Sequence, residues 1–558
     1  MIQAYKGGIM KVFADTVYYN GSILTMNDEQ KFAEAVAVHD ETIMAVGDLQ
    51  QVKQYADNHT KYFDLQGKTL LPGFIDAHSH ILDTALRALW VDVNSCPLGA
   101  VRNIDDVIAH LREKAETLAE GEWIVGWGYD DSKVEEMRHL ISDDLDRVST
   151  KHPVSVAHIS GWVTYHNRLA LTKGGITDDT SDTEYYRILR DDDNKATGVI
   201  ETALCPVMAK IPPADKPAFI KGLEAVSKQY AAKGCTTVQE GWWCTRESAD
   251  LASEAMNKDV FKLRLVLYPV GEGDGYDKEW NNLYPELKSG DYADEKKMIC
   301  MGAAKLTADG SIQARTAFLS KPYYVCPDGK PDFLGPYNHE QQWLNERVLE
   351  LHKQGKQVAV HCNGDGAIEM ALNAFEYAQK IQYRKDSRFI FIHCQTGRPD
   401  QRKRIAELKA CISCFPVHTY YWGKRHHDIF LGPERAKRLD PVREAMSLGI
   451  NCTLHNDTYI TPIDPLLCVW SAVNRQSYEG QDLGKAEQGI DVYSALKAIT
   501  INAAFQGFEE NVKGSIEVGK LADFVVLEEN PLEADEWKIK DLKIAATIVG
   551  NKLVYGDI

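Results

Sequence analysis

Two histidines one residue apart, His78 and His80, close the apolar run Leu71-Pro72-Gly73-Phe74-Ile75-Asp76-Ala77. If Phe74 to His80 is one extended strand, its side chains alternate between faces and both imidazoles project the same way. Asp76 then lies on the same face, one step deeper. Two neutral imidazoles side by side make half of a metal site, since ring nitrogens are good donors to divalent ions. Taken alone, such a pair is equally a pair of surface histidines on a loop. Further apolar runs tip the balance. Lys305 closes Cys300-Met301-Gly302-Ala303-Ala304, His361 closes Val358-Ala359-Val360, His393 closes Phe389-Ile390-Phe391-Ile392, and Asp457 follows Thr453-Leu454-His455-Asn456. One such strand end is ordinary; a series of them after an opening His-x-His describes a site.

The elements that must position these groups alternate. Strand-like runs fall at Thr236–Glu240, Leu263–Val270, Cys300–Leu306, Gln357–His361, Phe389–His393, Cys411–Pro416 and Asn451–Asp457, in addition to Phe74–His80. Between them lie helical stripes, such as Met370, Ala371, Ala374, Phe375, Ala378 and Ile381. Eight parallel strand candidates separated by helices predict an α/β fold, a closed (β/α)8 TIM barrel with its chemistry at the C-terminal strand ends. The two ends of the chain have a different texture, short hairpin-like strands with turns, and neither end could bury a face alone. The expectation is a small composite β-sandwich domain from residues 1–71 and 506–558, around a barrel at 72–505. Residues 83–217, with a helix at Ile104–Leu118 and a turn at Asp191–Lys195, read as an inserted domain after the first barrel strand, on the active face.

Composition narrows the partners. The chain has 558 residues, more than one compact core usually holds, with 44% apolar and 26% charged residues, ordinary for a soluble globular protein. A net charge of −18 argues against nucleic acid. No apolar run is long enough for a secretory signal or a bilayer span, and Met10 is a plausible second start. The 12 cysteines follow no framework spacing and many sit in apolar runs, which predicts reduced core residues and a cytoplasmic location. Cys411 and Cys414, three apart in a strand, face opposite sides and make a poor redox pair. The expected partner is a small-molecule substrate, with neither nucleic acid nor membrane, and a homodimer is left open.

In its order of strand ends the chain resembles the amidohydrolase superfamily, and within it the YtcJ-like branch that includes the N-substituted formamide deformylases. The resemblance runs through LPGFIDAHSH, HPVSVAHISGWVTYHNRLAL, GCTTVQEG, AKLTADGSIQARTAFLSKPY, VAVHCNGDGAI, IFIHCQ, LHNDTYITPIDPL and GSIEVGKLADFVVLEENPL, across nearly the whole chain. It implies that His78, His80 and Asp457 hold the more buried metal and that His361 and His393 hold the second. It also implies that Lys305 bridges them as a carbamate, since an ammonium cannot ligate a cation whereas a carbamate offers two oxygens. Zinc suits this donor set best, with manganese, iron or nickel as alternatives. The implied reaction is cleavage of an amide-like C–N bond by metal-activated hydroxide, with Asp457 passing the proton to the leaving nitrogen. Deamination or cyclic-amide opening would use the same site, and a binding protein on a dead barrel would have no need of the full ligand set.

The chain departs from that pattern where many relatives carry Ser-Gly-His followed by Asn-Ser. Here stand Ser160-Gly161-Trp162 and Asn167-Arg168. An indole offers area and one N–H where an imidazole would donate and accept, so a Trp162 facing the site predicts a more aromatic pocket. Packing inside the inserted region is the alternative. Trp242-Trp243 and Tyr420-Tyr421-Trp422 follow strands on the active face and are candidate substrate contacts, of which Trp242, Tyr420 and Trp422 are singled out, or else lid packing. His418 is a candidate contact for the substrate carbonyl, or a rim histidine.

Overall fold

A computed structural model describes residues 12–557 apart from 184–185, 203–204, 243, 273–285 and 328, with two short strand pieces, Ala4–Tyr5 and Gly8–Ile9, before them. At its centre run short parallel strands: β1 (Phe74–Ile75), β2 (Cys235–Glu240), β3 (Arg264–Leu267), β4 (Ile299–Met301), β5 (Ala304–Thr307), β6 (Val358–Cys362), β7 (Ile390–His393), β8 (Cys411–Cys414) and β9 (Asn451–Leu454). Strands β1 to β4 pair in chain order in one sheet and β5 to β9 in another. Nearly every residue in them is buried, as strands covered on both faces must be, which is why they read as unbroken apolar runs.

Only Gly302 and Ala303 part β4 from β5, where one strand was expected. Gly302 N donates to Leu267 O at 2.8 Å, and Ala304 N donates to Gln357 O at 2.9 Å. The chain therefore changes neighbours across this dipeptide. The residue at the bend must be glycine, because a Cβ there would lie 2.1 Å from the Tyr268 ring. Past β9 the chain returns to the residues after β1: Asp457 N donates to His78 O at 3.1 Å, and His80 N to Thr458 O at 2.7 Å.

Helices alternate with these strands. Asp365–Ile381, which follows β6, begins five residues before Met370, the first position of the stripe, and turns Ala367, Ile368, Ala371, Ala374, Phe375 and Ala378 into the core while Ile381 stays exposed. Between β1 and β2 lies a separate six-stranded sheet, ordered Tyr186–Arg190, Ala196–Thr202, Val163–His166, Val154–His158, Ile124–Tyr129, Val91–Asp92. It has its own core, with Val107, Leu111, Ile124, Val154, Val156 and Tyr165 in it. The helix expected at Ile104–Leu118 spans Ile104–Ala115, capped by the Asn103 side chain accepting from Asp106 N.

Strands from both ends of the chain share one eight-stranded sheet, in which Thr69–Pro72 pairs antiparallel with Phe524–Leu527. Alternation serves two cores: Tyr18, Val36, Val38, Phe524 and Ile548 on one, Val17, Ala35 and Ala37 on the other. The connectivity is that of a single hydrogen-bonded sheet. A buried bidentate pair fastens it to the parallel strands, Arg264 Nε and Nη2 donating to Asp523 at 2.7 and 2.9 Å. Among the described residues no helix is long and apolar enough to cross a membrane.

Candidate metal centre

Strand β1 ends at Ile75, short of the expected His80, because its next groups are spent sideways. Asp76 N donates to Thr237 O at 3.1 Å, while the Asp76 carboxylate accepts from Asn456 N at 3.2 Å and from the Ser79 hydroxyl. Side-chain partners, not strand alternation, therefore aim the two histidines. His78 Nδ1 meets Gln239 Oε1 at 2.8 Å, which places the ring proton on Nδ1. The free Nε2 lies 3.0 Å from Lys305 Nζ and 3.7 Å from Asp457 Oδ1. His80 turns Nε2 to Asp457 Oδ1 at 3.2 Å and Nδ1 to Glu240 Oε1 at 3.6 Å. Glu240, wholly buried at the end of β2, is itself anchored by Leu82 N at 2.7 Å.

The other half comes from β7 and the segment after β9. His393 Nε2 lies 3.9 Å from Asp457 Oδ2, and its Nδ1 is 3.2 Å from His455 Nε2. His455 is held in turn by Ser413 Oγ at 2.9 Å from its Nδ1. His361 has its ring 4.7 Å from that of His393, but its Nδ1 faces Asp309 Oδ1 at 3.4 Å and its Nε2 the Asn363 amide at 3.3 Å. Two trios thus bring ligand atoms within 4.8 Å of one another, His78, His80, Asp457 and His393, His455, Asp457, and His361 stands beside the second through His393. His418, on the helix Val417–Arg425, sits with its ring 6.0 Å from His393.

Burial dominates the electrostatics here. It lowers the Lys305 amine to about 8 and the His455 imidazole to about 3, and with the Lys305 ammonium it holds His78 well below its usual value. Burial also works against a charge on His80, yet Asp457 and Glu240 outweigh it and lift that ring to about 9. The same pairing holds Asp457 well below the usual carboxylate range although burial opposes it. Desolvation raises Asp76 to about 7.

The predicted aromatic contacts separate. Trp162 stands against the cluster, its ring 5.2 Å from His361. Trp242 adjoins it through the backbone, donating from N to Glu240 Oε1 at 3.2 Å, and its neighbour Trp243 lies outside the described residues. Trp422 is wholly buried with its indole N–H donated to Asp130 at 2.8 Å, and it ties the Val417–Arg425 helix to the inserted sheet. Tyr420 meets the rings of Trp470 and Tyr478. Residues not singled out from sequence also stand at the centre. Tyr459 lies 5.7 Å from the His80 ring and carries the Arg87 guanidinium 3.4 Å above its own ring. His455 was visible in principle, being two residues before Asp457 on an extended run, the same spacing that marked His78 and His80.

A divalent ion fits this donor set. Imidazole nitrogens and a carboxylate converge, and Asp457 Oδ1 is buried without a hydrogen-bond partner among the described residues. The fold and this centre are those of a metal-dependent hydrolase. The model of the amidohydrolase family matches residues 61–555, and the chain belongs to that family. It is 28% identical to the amidohydrolase YtcJ of Bacillus subtilis (strain 168), over 97% of this chain and 99% of that one. With the N-substituted formamide deformylase of Arthrobacter pascens it shares 25% identity, over 98% and 99% of the two chains. A solved metal-dependent hydrolase of Pyrococcus horikoshii OT3, uncharacterized beyond that, has the same fold, with a TM-score of 0.72 at 22% identity, covering 93% of this chain and 99% of its own.

Proposed function

We propose that this hydrolase cleaves the C–N bond of a small, partly apolar or aromatic amide, on a closed (β/α)8 barrel completed by the contacts of Asp457 and Thr458 with His78 and His80. The observation that carries the reading is the buried Asp457 carboxylate facing His78, His80 and His393 together. His78, His80, His393 and Asp457 would hold zinc, with His361 and Lys305 completing a second position. When bound, the ion supplies Lewis acidity, polarising the carbonyl and lowering the pKa of water from about 15.7 to roughly 7. The buried Lys305 amine, lowered to about 8, is available unprotonated to add carbon dioxide, losing a proton as the carbamate forms. Asp457 accepts the proton of the attacking water and returns it to the nitrogen as the C–N bond breaks, leaving an acid and an amine. Trp162 supplies an apolar wall, which supports an aromatic or alkyl substituent on the substrate. The test is metal analysis of the purified protein, followed by a panel of N-formyl, N-acyl and cyclic amides. Acid plus amine from an open-chain amide is the expected result; ammonia release or cyclic-amide opening alone would replace this reading by deamination or ring opening. No bound metal and no turnover would overturn it.

A further inference from the structure

Asp440 is wholly buried, and among the described residues neither of its carboxylate oxygens has a hydrogen-bond partner. A carboxylate in that position is costly to keep unless something uses it. Its backbone sits in the left-handed region at φ 46°, held there by its N–H donating to Gln395 O at 2.8 Å. The nearby cation does not claim the side chain. Arg475 donates to the Asp440 carbonyl oxygen at 3.3 Å, and to the carbonyls of Leu439 and Leu483. What faces the carboxylate is His418, whose Nδ1 is 3.9 Å from Asp440 Oδ1 and also unpartnered. The His418 ring packs 4.1 Å from Phe415, so it stands fixed between Asp440 and His393.

We infer that Asp440 is a positioning residue for His418, keeping the imidazole proton on Nδ1 and presenting Nε2 to the reacting centre. The inference rests on the hydrolase reading above for its purpose, though not for its geometry. A carboxylate facing one ring nitrogen selects the tautomer that donates to it, and the other nitrogen is left as an acceptor. The gap of 3.9 Å is longer than a direct hydrogen bond, and a small shift of the ring closes it. Nε2 is then free to accept the N–H of a bound amide or a hydrogen of the incoming water.

The test is nitrogen-15 NMR of the metal-loaded, histidine-labelled protein, with the His418 signal assigned by its loss in His418→Gln. The expected result is an Nδ1-protonated ring that shifts toward the other tautomer in Asp440→Asn and stays in place in Asp440→Glu. A ring protonated on Nε2, or one that Asp440→Asn does not move, overturns the inference. If Asp440→Asn fails to fold, the wild-type tautomer still decides. Turnover of an N-formyl amide adds a second readout: Asp440→Asn should lower kcat about tenfold with little change in KM, and cost nothing further in the His418→Gln background. Equal losses in both backgrounds would mean that Asp440 serves Arg475 or packing instead. Absence of metal or of turnover would count against the proposed function, while the tautomer continues to judge this pair.

Discussion

At the His78–His80 end of the centre each ring nitrogen turned away from Asp457 faces a placed acceptor, Gln239 for His78 and Glu240 for His80. At the His361–His418 end the groups are as deeply buried but less well matched. Among the described residues His361 Nδ1, His418 Nδ1, the Asn363 and Gln395 side-chain oxygens and both Asp440 oxygens lack hydrogen bonds. Buried polar groups without partners are expensive in a folded protein. The contrast teaches that the protein itself orients the imidazoles at one end, while at the other it leaves polar atoms open to a further partner.

Lys305 lies 3.0 Å from His78 and, on the proposed reading, would bridge the two ends, so its loss should do most damage. Lys305→Ala is expected to lose metal and fall to background turnover, with partial recovery when short carboxylic acids replace the missing oxygens. Elemental analysis alongside turnover reads this directly, and a variant with full metal and normal rates would remove Lys305 from the centre. Asp457→Asn comes next, at about two to four orders of magnitude in turnover with metal retained, the worth of a positioned base. Near-normal turnover in that variant would assign the proton transfer elsewhere.

A smaller effect sharpens the contrast itself. Gln239→Ala removes the acceptor that orients His78 and should weaken metal binding by about 10- to 100-fold, as measured by chelator competition. Asn363→Ala, beside His361, should change it far less, because that end is not held in advance. Equal losses at the two positions would erase the distinction.

Much of this was legible from residue types. Apolar runs ending in His361 and His393 marked strand ends, because parallel strands buried on both faces leave polar residues only where they emerge, whereas Lys305 stands at the start of β5 and Asp457 three residues past β9. What escaped sequence reasoning was set by contacts distant in the chain. Gly302 looks like any strand glycine until Tyr268 packs over it. The pairing of Asp440 with His418 depends on how the segment before the Val442–Ser447 helix folds back toward the helix after β8, held by Asp440 N donating to Gln395 O. Glu240 and Gln239 ended a recognised strand, but only the approach of the His78–His80 segment gives them a task. Trp422 and Tyr420 stood in the right loop for a pocket and were turned into packing by Asp130 and Trp470.

The two ends should also answer pH with opposite signs in metal-free protein. His80 is lifted to about 9 from an ordinary 6.5, so its contribution is fully present below 6.5 and is lost as pH rises toward 9. His455 is lowered to about 3 from 6.5, so the unfolded chain takes up the proton first and stability falls as pH drops from 6.5 toward 3. Each limb is worth at most about 3 to 5 kcal/mol, and in a chain of this size that is a shift of a few degrees in Tm. Thermal unfolding with chelator present, scanned over pH, measures it. The stability advantage of wild type over His80→Asn should be constant below pH 6.5 and shrink as pH rises toward 9, and that over His455→Asn should be constant above pH 6.5 and shrink as pH falls toward 3. Other buried groups, Asp76 among them, titrate in the same range, but they are common to both proteins in each comparison and cancel to the extent that they do not touch the ring removed. Asp457 is the exception, since it faces His80 directly and His393, which His455 supports. If both variants flatten the same limb, the two ends are coupled through Asp457 more tightly than their hydrogen bonds suggest, and the centre titrates as one unit.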